Sequence, residues 1–257
     1  MRFTRAIVRP PATTFADGIT SSGLGPPDLP LALEQHEAYC RQLERLGISV
    51  IRLGPDPDFP DSTFVEDTAI VTAGGAILTR PGAASRAGEV VAVGAALGRW
   101  FPEPPEIAAP GTVDGGDVCE AGDHFFIGLS ERTNEEGSAQ LVEWLARLGF
   151  GSSVIDIREL PGLLHLKTGV SWLGERRMLA TTEIAEHEAL SEWEVVRVPE
   201  GEEYAANCIA VNGTLLVAGG FPETRVLLGG LGFEIVPLDM SEYRKMDGGL
   251  SCLSIRW

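Results

Sequence analysis

Apolar and polar positions alternate along this chain in a pattern that recurs. Five segments look alike: FVEDTAIVTAGGAILTRPG (64–82), TVDGGDVCEAGDHFFIGLSERTN (112–134), LHLKTGVSWLGERRMLATT (164–182), YAANCIAVNGTLLVAGGFPETR (204–225) and MDGGLSCLSIRW (246–257). The first four read as a short apolar strand, a turn (GG, AGD, GER or NG) and a second strand, which is hairpin chemistry. The fifth holds only one strand, and RAIVRP (5–10) could supply its partner.

Helical periodicity fills the intervals. Residues 34–47 are amphipathic and stop at Gly47. Residues 85–100 form a second pattern, weakened by two glycines. Residues 134–149 begin on Asn134, a good cap residue, and stop at Gly149. Residues 222–233 are a weaker fourth. Strands follow at 48–53, 152–157 and 233–238, so the unit is hairpin, helix, strand. Asp67, Asp117, Lys167, Asn207 and Asp247 hold matching places, 50, 50, 40 and 40 residues apart. In a closed ring of repeats, equivalent positions converge on the axis. The pattern therefore predicts an α/β ring, one domain over residues 1–257, with polar residues gathered at its centre. A doubly wound open sheet is the rival. It would want a Gly-rich phosphate loop between strand and helix, and none stands in that context.

Composition narrows the function more than the fold. The 257 residues carry a net charge of −17. Such a surface repels phosphate backbones and anionic lipid, so neither nucleic acid nor a membrane is an expected partner. It suits a small cationic substrate, although acidity of this kind more often serves solubility alone. The N-terminus shows no apolar run of signal-peptide type, and no segment offers about 18 apolar residues in a row. A cytoplasmic location is expected. The four cysteines stand far apart with no C-x-x-C pair, so zinc ribbons and dithiol redox chemistry are not expected.

A few residues could carry chemistry. A cysteine in a terminal strand is usually a core filler. Cys252 differs because two glycines and Ser251 surround it, which lets backbone approach a ligand. His165 precedes a hairpin at the offset of other polar residues, and a thiol nucleophile needs such a proton carrier. Asp114 and Asp117 in TVDGGDV read as a turn, or as carboxylates that orient a histidine or grip a cation. Asp61, Glu66 and Asp67 read as a solvated edge or as partners for a planar guanidinium. Arg86 and Arg132 read as helix-flanking charge or as ligands of a substrate carboxylate.

Taken in order, DGITSSGLGPPD, FPDSTFVEDT, LTRPGAASRAGE, DGGD, HLKTG, YAANC and SEYRKMDGGLSCLS resemble the dimethylarginine dimethylaminohydrolases over essentially the full length. The wider group, the guanidino-group modifying (pentein) superfamily, has a five-fold pseudosymmetric α/β propeller, in agreement with the repeat. The resemblance implies Cys252 as nucleophile, His165 as general acid and base, and Asp114 as its acidic partner. It implies Glu66 and Asp67, with Asp61 nearby, as guanidinium-binding acids, and Arg86 and Arg132 as holders of the substrate carboxylate. Ile19 matches a position on a mobile loop over the pocket, and Met246 one that meets substrate through its backbone. The activity implied is hydrolysis of asymmetric dimethylarginine, and of monomethylarginine, to citrulline and the amine, through a covalent thiouronium on Cys252. No metal or organic cofactor is implied. The protein would act as a monomer or homodimer. A hydrolase or deiminase of free arginine, and a non-catalytic ring-shaped binding module, stand as alternatives.

Overall fold

The computed structural model describes residues 2–257. Its strands form five small sheets, one for each repeat in the sequence. Four hairpins are antiparallel: Ala69–Thr72 with Gly75–Leu78, Val118–Ala121 with His124–Leu129, Val170–Gly174 with Arg177–Ala180, and Ile209–Val211 with Thr214–Ala218. The fifth is made from the two ends of the chain. Arg5–Val8 pairs antiparallel with Ile255–Arg256 in the register Ala6↔Arg256 and Ile7↔Ile255. The Trp257 carbonyl accepts from the Thr4 and Arg5 amides at 2.7 and 2.9 Å, so the ring closes by hydrogen bonds rather than by covalent chain. Closure is packed as well as bonded. Ile7 and Ile255 are buried against Val65, Val71, Leu78, Val93 and Leu97 of the first unit.

A third strand runs parallel to the second hairpin strand in four sheets: Gly151–Asp156, Glu194–Arg197, Glu234–Leu238 and Ser49–Arg52. Parallel pairing demands a crossover, and the intervening helices supply it. The first unit departs from the expected pattern. Its third strand shrinks to one bridge, Leu78↔Glu106. The segment FPEPPEIAAP (101–110) explains this, because each proline removes a ladder donor.

Helix ends follow local chemistry. The helix Leu29–Arg45 begins five residues before the expected start, because the Asp28 side chain accepts from Leu31 N and Pro30 occupies the first turn. Its far end turns at Gly47, with φ at +83°. Asn134 caps Glu135–Arg147 by accepting from Gly137 N at 2.8 Å, as expected. The second helix is shorter than the sequence pattern, Glu89–Leu97 rather than 85–100. The fourth spans Pro222–Gly230. The third unit has no long helix, only the turns Thr182–Ala185 and Glu188–Leu190 before its last strand.

Each hairpin is preceded by one short helical turn: Val65–Thr68, Gly115–Asp117, Leu166–Gly169, Glu203–Ala206 and Ser251–Leu253. These turns carry the polar phase of the repeat, and hydrogen bonds join them into a belt. Gly116 N donates to Asp67 Oδ1 at 2.8 Å, and Leu166 N to Asp117 Oδ1 at 2.9 Å. Asn207 Nδ2 donates to the Lys167 carbonyl at 2.9 Å, and Ser251 N to Asn207 Oδ1 at 3.0 Å. Ser251 Oγ then donates to Glu66 Oε2 at 2.7 Å, returning to the first turn. Buried polar groups cost little when each finds a partner of this kind. The belt corrects the expected register of the fifth unit. Asp247 lies upstream of it, at φ +56°, and Ser251 holds the equivalent place.

Candidate active site

Cys252 stands in the turn Ser251–Leu253, next to the belt residue Ser251. Gly248 and Gly249 precede it for steric reasons. A Cβ on Gly248 would meet the Phe64 ring at 2.2 Å, and one on Gly249 would meet the Asn207 amide at 2.5 Å. The Gly249 N–H points at Cys252 Sγ, 3.5 Å away. Burial is the main cause that pushes the Cys252 thiol up, to about 12, and the Glu66 and Asp67 carboxylates add to it. The side chain keeps some exposed surface, which tempers the burial contribution. That shift favours the thiol over the thiolate at neutral pH.

His165 opens the turn Leu166–Gly169 and is only 8% exposed. Its Nε2 lies 3.0 Å from Asp114 Oδ2, and Asp114 is fully buried. The other Asp114 oxygen accepts from Gly82 N at 2.8 Å, so the carboxylate is fixed at both ends. Burial works against the charged imidazole. The Asp67 and Asp117 carboxylates and the Asp114 hydrogen bond outweigh it and push His165 up to about 9. An imidazolium at neutral pH is a proton donor already in place.

Asp67 accepts from Arg86 Nη1 at 2.6 Å through Oδ2, while its Oδ1 takes the belt bond from Gly116. Burial opposes its ionisation, yet the Arg86 guanidinium and His165 hold Asp67 down at about 2. Arg86 is itself buried. Its remaining donors go to Glu89 and to the Asp61 and Phe64 carbonyls. Glu89 is the residue that the sequence reading missed here, although its i,i+3 spacing from Arg86 is a helical pairing signal. Arg132 differs from Arg86. Among the described residues its side chain has no ion-pair partner, and it lines the same small cavity as Asp61, Asp67, Arg86, His165, Met246 and Cys252.

Ile19 covers this cavity. It is 42% exposed, and its N–H donates to both Asp61 oxygens at 3.1 and 3.2 Å. The loop after it is tied down elsewhere. Ser21 N and Oγ donate to Asp247 Oδ2 at 2.5 and 3.0 Å, and the Thr20 and Ser22 hydroxyls reach the Lys245 carbonyl at 2.8 and 2.6 Å. The sequence reading did not assign Asp247 to the site. Its positive φ, invisible in sequence, marks the sharp turn that aims its carboxylate at the loop after Ile19.

Glu66 is the expected residue that the geometry sets apart. Its carboxylate takes Lys167 Nζ at 2.6 Å and Ser251 Oγ at 2.7 Å, with Arg256 3.7 Å away. It lines a separate cavity of about 120 Å3 and not the small one beneath Ile19. Those cations balance its charge, and its carboxylate is among the groups that hold the Cys252 thiol up. One oxygen each of Asp67 and Asp114 and a ring nitrogen of His165 lie within 4.8 Å of one another, close enough to gather a cation. Arg86 already neutralises Asp67, so the cluster does not depend on a metal for its charge balance.

Fold and site together define a cysteine-dependent hydrolase of guanidinium groups. No protein-family model matches the chain. The N(G),N(G)-dimethylarginine dimethylaminohydrolase of Pseudomonas aeruginosa is 45% identical over 256 residues, which is 99% of this chain and 100% of that protein. A crystal structure of the Pseudomonas aeruginosa enzyme, a cysteine-to-serine mutant complexed with citrulline, has a TM-score of 0.96 at 44% identity and covers 100% of both chains. A histidine-to-glycine dimethylarginine dimethylaminohydrolase, solved as an adduct with S-methyl-L-thiocitrulline, has a TM-score of 0.95 at 44% identity, covering 99% of this chain and 100% of its own. The chain belongs to the dimethylarginine dimethylaminohydrolase family.

Proposed function

We propose that the protein hydrolyses Nω,Nω-dimethyl-L-arginine to L-citrulline and dimethylamine, and the monomethyl compound to citrulline and methylamine, with Cys252 as nucleophile. The observation that carries this is the pocket itself. A cysteine and an imidazolium, the latter fixed by a buried carboxylate, share one cavity with an acid and a free arginine. Citrulline and the thiocitrulline adduct in the relatives' structures fit the same chemistry.

The free Arg132 side chain meets the substrate carboxylate, and Arg86 frames that end from its ion pairs. The substrate guanidinium enters beside Asp67. Its positive charge offsets the carboxylates that hold Cys252 as a thiol, and the thiol releases its proton to solvent water as the substrate binds. The thiolate forms a bond to the guanidinium carbon. His165 gives its proton to the departing amine as the carbon–nitrogen bond breaks, leaving a thiouronium on Cys252. The now neutral His165, held by Asp114, takes a proton from water. The resulting hydroxide adds to the same carbon, the carbon–sulfur bond breaks, and citrulline leaves with Cys252 restored. Ile19 and the loop behind it exclude bulk water during these steps.

The site proposed for the cell is the cytoplasm. The four cysteines are free thiols, the state a reducing compartment maintains. No helix among the described residues is long and apolar enough to cross a membrane. The direct test is product analysis with purified protein. Citrulline and dimethylamine in equal amounts are expected, with none from Cys252→Ser. Absence of citrulline from arginine, monomethylarginine and dimethylarginine alike would refute the reading.

A further inference from the structure

Two cavities meet at Cys252 and His165. The first, of about 30 Å3, holds Asp61, Asp67, Arg86 and Arg132 and suits the charged end of an amino acid. The second, of about 630 Å3, also reaches these two residues; its lining includes Leu160, Leu163, Tyr204 and Asn207, with Arg158 and Arg244 among its charged groups. We propose that this second cavity is the binding site for the substituent on the departing nitrogen, and that it admits Nω-alkyl and Nω-aralkyl groups much larger than methyl. The proposal rests on the reading of Cys252 as a guanidino hydrolase and goes beyond it in naming the substrate class.

Proton transfer fixes the direction. His165 must reach the departing nitrogen, so that nitrogen and whatever it carries lie on the imidazole side of the guanidinium. With the amino-acid end in the small charged cavity, the space left beside His165 is the large one. Its volume falls within the roughly 300–1,000 Å3 of sites that enclose whole organic ligands. Two methyl groups would leave most of it to water.

One wall of it is carbon: Ile157, Leu160, Leu163 and Leu164 line it together, while Arg158, Glu183 and Arg244 stand elsewhere in the lining. Two polar side chains beside Cys252 are already satisfied. The Tyr204 hydroxyl donates to the Gly248 carbonyl at 2.7 Å. The Asn207 amide donates to the Lys167 carbonyl and Ser251 Oγ at 2.9 and 3.0 Å and accepts from Ser251 N at 3.0 Å. An apolar substituent placed there strips no hydrogen bond from either. Each buried methylene would then strengthen binding roughly fourfold.

The test compares Nω-propyl-L-arginine and Nω-benzyl-L-arginine with dimethylarginine on the full chain, with citrulline and the released amine both measured. Values of kcat/KM within about tenfold of dimethylarginine are expected for both, since pocket contacts of this size discriminate by roughly 10–200-fold when they clash. Leu163→Trp, and independently Leu160→Trp, should lower the benzyl substrate by about 100-fold relative to dimethylarginine by filling the cavity. If neither large substrate is hydrolysed or competes while dimethylarginine is turned over, the proposal is wrong. It is equally wrong if the tryptophan variants lower all substrates in the same proportion. If no citrulline forms even from dimethylarginine, the hydrolase reading fails first and this one with it.

Discussion

A thiol nucleophile held up at about 12 presents a sharp test. Each pKa unit is a factor of ten, so at pH 7 only about one Cys252 in 10^5 would be a thiolate in the empty site. Placing a guanidinium-like cation in the pocket is the perturbation. Two unit charges about 4 Å apart interact by roughly 4 kcal/mol at an effective dielectric of about 20. That energy is worth about three pKa units, so the thiol should fall to roughly 9 when the site is filled. An amidinium analogue of arginine, with methyl in place of the departing amine, supplies the charge without a leaving group. The assay is the ultraviolet absorbance of the thiolate across pH, with Cys252→Ser as the blank. The blank also removes Cys40, Cys119 and Cys208, which burial pushes up to about 12. An inflection near neutral pH in the empty protein would mean a resting thiolate–imidazolium pair. That result, or an inflection that does not move down with ligand, would defeat the reasoning.

Three further outcomes are expected. His165 is raised to about 9 from an ordinary value near 6.5, so its contribution to stability is fully present below 6.5 and is lost as pH rises through 9. Urea unfolding should therefore show roughly 3 kcal/mol less stability at pH 9.5 than at pH 6 in this respect, and His165→Gln should flatten that slope. Arg132→Ala should raise KM by about 10–100-fold with kcat less affected, as loss of a charge-assisted bond to the substrate carboxylate would. A change confined to kcat would contradict that role. Asp247→Asn should loosen the lid, seen as faster hydrogen exchange over residues 18–25 and a higher KM; unchanged exchange there would remove Asp247 from lid closure.

What the sequence reveals about this molecule follows from how the repeat works. A hairpin announces itself by alternation and turn residues, so four sheets and the joining of both termini were legible from positions such as Asn212–Gly213 and Arg5–Val8. Lengths were less legible. The first unit loses its third strand to the prolines of 101–110, and the first helix gains a turn from the Asp28 cap. The polar phase was visible at Asp67, Asp117, Lys167 and Asn207, but its physical cause was not. Periodicity implied convergence on a pocket, whereas these residues chiefly bond the next unit's turn into the belt. Spacing misjudged the fifth unit because the Asp247–Gly248–Gly249 turn lengthens the approach to its strand. The correction matters for chemistry. A belt residue at Ser251 fixes the backbone on which Cys252 sits, while the Asp247 carboxylate accepts from Ser21 of the loop after Ile19. Cys252 and Asp247 are thus five residues apart on one segment, so tying the loop and framing the thiol draw on the same short stretch of chain. The cations beside Glu66 come from two other units: Lys167 was marked by the polar phase of the repeat, whereas Arg256 falls outside it and could not be read from spacing.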